Sequence, residues 1–172
     1  MKLSVKEMAV FSMLGCVMYT SKVLMDALPN IHLIGVFIVT ITVVYRKKAL
    51  YPIYIFVLLT GLFNGFGAWW AAYLYTWTVL WGMTMLIPKN VPQKLKPLVY
   101  MAVCGIHGFL YGILCAPAQA LFFGLSFKGM LTWIAAGFSF DMIHGISNIL
   151  CGVLIAPLIK VLRLADKATQ TP

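Results

Sequence analysis

The apolar runs of this chain are continuous and long enough to cross the hydrocarbon core of a bilayer as helices. Its 172 residues are 62% hydrophobic and 10% charged, with a mean hydropathy of +0.95; a soluble domain carries about 25% charged residues. A membrane β-barrel would instead alternate apolar and polar residues in short segments. The sequence predicts an all-α integral membrane protein forming a single membrane domain over 1–172.

Six spans are expected, at about 8–28, 31–45, 49–63, 68–87, 98–116 and 140–162, with room for a short interfacial helix over 130–138. The separators are turn and polar signals: "LPN" after the first, "RKK" (46–48) after the second, "NGFG" (64–67) after the third and "PKNVPQKLKP" (88–97) after the fourth. The run around "MLGC" (13–16) continues past Cys16, so an uncleaved first helix is expected rather than a processed leader.

Charge placement orients the bundle. With an inner N-terminus, Lys2, Lys6, Arg46, Lys47, Lys48, Lys89, Lys94, Lys96, Lys160, Arg163 and Lys167 lie inside, eleven of the thirteen basic residues. Lys22 and Lys128 remain outside. Inner loops collect lysine and arginine, so both termini are expected in the cytoplasm. The same clustering between spans explains the net charge of +9 without nucleic acid.

One stretch, "FDMIHGISN" (140–148), places polar groups within a strongly apolar run. A helix turns about 100° per residue, so Asp141, His144 and Asn148 fall within roughly 60° of one another. Ionisable groups at membrane depth are expensive and face a cavity, a partner or a substrate. The bland alternative has Asp141 capping the sixth helix while His144 and Asn148 brace it. Lys22 and Asp26, four apart, are placed to pair near the outer end of the first span, or Lys22 snorkels to the interface. Asn30 and His32 flank the next turn. Trp69 and Trp70 fit an interfacial aromatic belt; Trp77 and Trp81 run deeper, facing lipid or stacking on a ring. His107, with Tyr111 one turn on, is expected to make an interhelical hydrogen bond.

Enzyme signatures are weak. There is no H-E-x-x-H, no G-x-S-x-G and no phosphate-cradling glycine loop. The four cysteines, Cys16, Cys104, Cys115 and Cys151, lie in apolar runs without a C-x-x-C, and read as small buried residues rather than disulfide or zinc positions. No metal or other cofactor is expected.

In "LPNIHL" (28–33), "RKKALYPIYIFVLLTGLFNGFGAWW" (46–70) and "FDMIHGISN" (140–148), the chain resembles the substrate-binding S components of energy-coupling factor (ECF) vitamin transporters. The likeness extends over most of the length, with six helices, a short second span and inner termini. It implies a bacterial plasma-membrane protein that captures a small molecule on the outer side. It further implies a membrane scaffold subunit, two cytoplasmic ATPases, and toppling in the bilayer for release. S components carry an Ala-x-x-x-Ala patch on the first helix that docks on the scaffold. The matching region here holds Ala9, Ser12, Gly15 and Cys16, with Met13 in place of the second alanine.

Taken with the residues, this gives a substrate-binding subunit of an ECF-type ABC importer, not itself an enzyme. The expected ligand is a ring-containing vitamin or cofactor precursor. Its site is expected among Lys22, Asp26, Asn30, His32, Trp69, Trp70, Asp141, His144 and Asn148. The alternatives are a small intramembrane enzyme using Asp141 and His144, and a stand-alone ion-coupled carrier.

Overall fold

The computed structural model describes residues 3–168, so Lys2 and the end of the polar tail lie outside the described residues. Among the described residues every element is helical. The helices are α1 (Val5–Leu24), α2 (Ile34–Tyr45), α3 (Leu50–Asn64), α4 (Ala68–Met85), α5 (Lys96–Phe109), α6 (Tyr111–Phe123), α7 (Phe127–Cys151) and α8 (Ile155–Ala168). Short 3-10 turns at Arg46–Ala49 and Gly152–Leu154 join α2 to α3 and α7 to α8.

Three helical stretches are long and apolar enough to cross a membrane: Val5–Leu24, Lys96–Phe123 and Phe127–Lys167. The surface agrees. Phe63, Leu121, Phe123, Phe140, Ile143, Ile146 and Leu150 are exposed, while Thr40, Thr42, His107, His144 and Asn148 are buried. Apolar residues outside and polar residues inside are what a hydrocarbon solvent selects.

At the centre stands α2, the sequence "IGVFIVTITVVY", buried from Ile34 through Thr42 except for half-buried Phe37. A helix that is apolar all round is a core helix, and α2 packs against α1, α4, α5, α7 and α8. At about 1.5 Å per residue it is roughly 18 Å long, well short of the bilayer core. The chain leaves it through Arg46, whose φ of 53° and ψ of −119° are unusual for a non-glycine residue. Two contacts to α4 hold that conformation: the Arg46 guanidinium donates to Met85 O (3.2 Å), and Trp81 Nε1 donates to Arg46 O (3.1 Å). Such backbone strain, of order 1–3 kcal/mol, persists only where the surroundings fix it.

The first helix begins in a capping box. Ser4 Oγ accepts from Glu7 N (3.1 Å), and Ser4 N donates to Glu7 Oε2 (3.0 Å). Glu7 also pairs with Lys48, tying the start of α1 to the Arg46–Ala49 turn.

Several boundaries differ from the sequence expectation. The stretch 98–116 becomes two helices, divided at Leu110, and the second continues through Pro117 to Phe123. In the turn before Pro117, Tyr75 Oη donates to Leu114 O at 2.6 Å, tying α6 to α4. The interfacial helix expected over 130–138 is not a separate element. Ser126 caps α7, accepting from Gly129 N at 3.1 Å, and the helix runs unbroken through Asp141. With Ser126 capping its first turn through Gly129 N, α7 starts there and not at Asp141. The break comes later, at Gly152–Leu154.

Candidate functional site at the aromatic end

Along α7, Phe140, Ile143, Ile146 and Leu150 point outward, while Asp141, His144, Gly145 and Asn148 are buried. The polar stripe therefore faces the bundle. Its three members do three different things.

Asp141 does not cap its own helix. Its Oδ1 accepts from the backbone N–H of Gly112 at 2.9 Å, in the first turn of α6. A carboxylate there satisfies an orphan donor and suits the positive end of the helix dipole. Asn148 is fully buried, with Nδ2 donating to Cys104 O at 3.3 Å. Glycines let the backbones close around it: a Cβ at Gly108 would lie 2.8 Å from Asn148 Nδ2 and 2.8 Å from Gly145 Cα. Asn148 thus braces α5 against α7.

His144 joins an aromatic cluster. Its ring centroid is 4.7 Å from that of His32 and 4.7 Å from that of Tyr111. Trp77, 1% exposed, sits at the hub of this cluster rather than against lipid, with centroids 5.1 Å from Tyr73, 5.7 Å from Tyr111, 5.7 Å from His107 and 6.2 Å from His32. His32 and His107 pack on Trp77, and His144 joins them through His32 and Tyr111. His107 Nε2 lies 2.9 Å from Thr76 O; a carbonyl can only accept, so Nε2 carries the proton. No group of three or more His, Cys, Asp or Glu residues among the described residues is arranged to hold a metal.

Two adjoining cavities open beside this cluster. One, of about 190 Å³, is lined by Lys22, Asp26, Asn30, His32, Tyr73, Tyr111 and His144 among others. The other, of about 300 Å³, is lined by Asn30, Trp69, Tyr73, Tyr111, Gly112, Cys115, Gln119, Trp133, Phe140 and Asp141. Asn30, Tyr73 and Tyr111 line both and form the partition. Asn30 has φ 60°, a left-handed conformation that asparagine tolerates, and its carbonyl accepts from Ser147 Oγ at 3.0 Å. Lys22 Nζ and Asp26 Oδ1 are 3.0 Å apart, an i, i+4 pair beside the first cavity.

Of the residues singled out from sequence, Lys22, Asp26, Asn30, His32, Trp69, Asp141 and His144 line these cavities, and Asn148 and Trp70 line neither. Trp70 Nε1 donates to Val57 O at 2.9 Å and joins α4 to α3. Tyr73, Tyr111 and Trp133 also line the cavities, although none of the three is among the expected site residues. The spacing Trp69, Tyr73, Trp77, one helical turn at a time, is the signal for Tyr73; Tyr111 and Trp133 are brought in only by tertiary packing.

The proposed docking residues lie on a different surface. Ala9, Ser12 and Cys16 are exposed on α1, but Gly15 is buried against α3, where a Cβ would meet Ile55 Cγ2 at 2.5 Å. Cys16 is the exposed member of four free cysteines; Cys104 and Cys115 are buried and Cys151 half-buried.

Chemically, the aromatic end offers flat rings for stacking, an ion pair at one side and a buried imidazole edge. His144 Nε2 is buried without a hydrogen-bond partner among the described residues. Leaving such an atom unpaired costs about 1–3 kcal/mol. No family model matches this chain, nor does any curated protein or solved structure.

Proposed function

We propose that the chain is the substrate-binding membrane subunit of an ECF-type importer. In this reading six spans cross a bacterial plasma membrane with both termini in the cytoplasm. A small ring-containing vitamin or cofactor precursor enters at the aromatic end. A membrane scaffold subunit and two cytoplasmic ATPases complete the transporter. The observation that carries the reading is the aromatic cavity wall itself, where His32, Tyr73, Tyr111 and His144 meet and His144 Nε2 is buried without a partner among the described residues. Ligand pockets have this character, mostly apolar and aromatic with a few placed polar groups.

An intramembrane acid–base pair is less well supported. The Asp141 carboxylate is held by Gly112, and the His144 ring packs on His32 and Tyr111. The two residues line different cavities.

The test is mass spectrometry of small molecules that co-purify with the protein, followed by uptake measurements with and without ATP. A ring compound recovered unchanged, and imported only with ATP and partner subunits, is the expected result. Chemical conversion of the bound compound would overturn the reading in favour of an enzyme. Uptake by the chain alone, driven by an ion gradient, would overturn it in favour of a carrier.

A further inference from the structure

At the opposite end of the bundle, a cavity of about 300 Å³ lies between the start of α5 and the Ala156–Arg163 stretch of α8. Its charged lining is entirely cationic: Lys96 from α5, and Lys160 and Arg163 from α8, with Gln93 and Tyr100 beside them. Lys160 and Arg163 are three apart, so they share a helix face. Neither ion pair among the described residues involves any of the three. The neighbouring cavity at this end is different, because Lys6 there is accompanied by Glu7 and Asp166.

We propose that this cavity seats the phosphodiester headgroup of an anionic phospholipid, with Lys96, Lys160 and Arg163 as its cationic partners. A phosphoryl oxygen cluster is the ligand chemistry that three convergent cations fit, and basic pockets between membrane helices recognise such headgroups. The apolar part of the wall selects a lipid over free phosphate. Pro97, Ala156 and Ile159 complete the lining. Next to the cations, Leu98, Val161 and Leu164 are exposed, 61–67% each, on the surface along which acyl chains would run. A free phosphate would use none of that surface. Nothing in this inference depends on the ligand of the aromatic end.

The experiment is native mass spectrometry of the full chain released from detergent, with phosphatidylglycerol or phosphatidylcholine added. The wild type is expected to retain phosphatidylglycerol well and phosphatidylcholine poorly. Each cation near an anionic headgroup is worth about a fivefold factor, so Lys96→Gln/Lys160→Gln/Arg163→Gln should bind about a hundredfold more weakly. Lys160→Gln and Arg163→Gln alone, each about fivefold weaker, keep the test open should the triple variant fail to fold. A control, Lys6→Gln/Lys47→Gln/Lys89→Gln, has the same net charge and should behave like wild type. Equal loss in the control would overturn the site in favour of general surface charge. Equal retention of phosphatidylcholine, or undiminished phosphatidylglycerol binding by the variants, would also overturn it. Displacement of the lipid by excess inorganic phosphate would overturn the lipid as source.

Discussion

The carboxylate of Asp141 on α7 holds the backbone N–H of Gly112 on α6 at 2.9 Å, and a Cβ on Gly112 would come within 2.1 Å of Asp141 Oδ2. Each residue therefore requires the other. The contact sits two residues past the α5–α6 break, where the N–H of Gly112 bonds to a side chain on another helix. Asp141→Asn keeps an acceptor oxygen and should cost little stability. Asp141→Leu removes the acceptor and should cost about 1–2 kcal/mol. Gly112→Ala should destabilise as much or more, by forcing the carboxylate away. Thermal unfolding in detergent checks the order; equal stability of Asp141→Leu and wild type would show that the cap contributes nothing.

His144 and Asn148, one turn apart on the same stripe, should separate in behaviour. Asn148 is enclosed by glycines of α2 and α5 and touches neither cavity, so Asn148→Leu should lower stability through overpacking, typically by about 1–3 kcal/mol. His144→Phe keeps the ring packing on Tyr111 and His32 but removes the polar edge. It should fold as well as wild type while recovering less co-purified small molecule, by about 5- to 150-fold in affinity for one lost polar contact. If His144→Phe and wild type carry the same compound in the same amount, His144 is not part of the binding surface.

The stripe was legible because helical spacing is a local property: residues 141, 144 and 148 share a face whatever surrounds them. The Lys22–Asp26 pair was legible for the same reason. What each side chain meets is not local. Asp141 reads as a helix start in sequence, but the start signal that operates is Ser126, and Asp141 serves a different helix. The break at Leu110 was not legible because Gly108 and Gly112, two residues to either side, sit in an otherwise continuous apolar run, while the more obvious marker, Pro117, lies inside a helix that continues. For Trp77 the sequence leaves lipid-facing and ring-stacking both open, and only the convergence of α4, α5 and the turn before α2 packs it between His32 and His107.

Topology can be tested at exposed positions. Lys47, Lys94 and Lys128 are all solvent- or lipid-accessible in the fold. In a background with the four native cysteines replaced by alanine, single cysteines at positions 47 and 94 should resist an impermeant thiol reagent in intact cells, and one at 128 should react. That pattern follows from the proposed orientation, in which eleven of the thirteen basic residues lie on the inner side. Labelling at 94 with protection at 128 would reverse the orientation.

The small residues of α1 separate docking from folding. Ala9, Ser12 and Cys16 are exposed, whereas a Cβ at Gly15 would lie 2.5 Å from Ile55 Cγ2 and 3.2 Å from Pro52 O of α3. Gly15→Leu should therefore drive α1 and α3 apart and lower stability by about 1–3 kcal/mol or more, an overpacking effect. Ser12→Leu meets no such wall and should leave stability within about 0.5 kcal/mol of wild type. If the exposed face of α1 docks on a scaffold helix, where small residues permit close approach, Ser12→Leu should abolish ATP-dependent uptake while the isolated protein still carries its small molecule. Uptake that survives Ser12→Leu, together with an unchanged unfolding temperature, would remove that face of α1 from the docking surface.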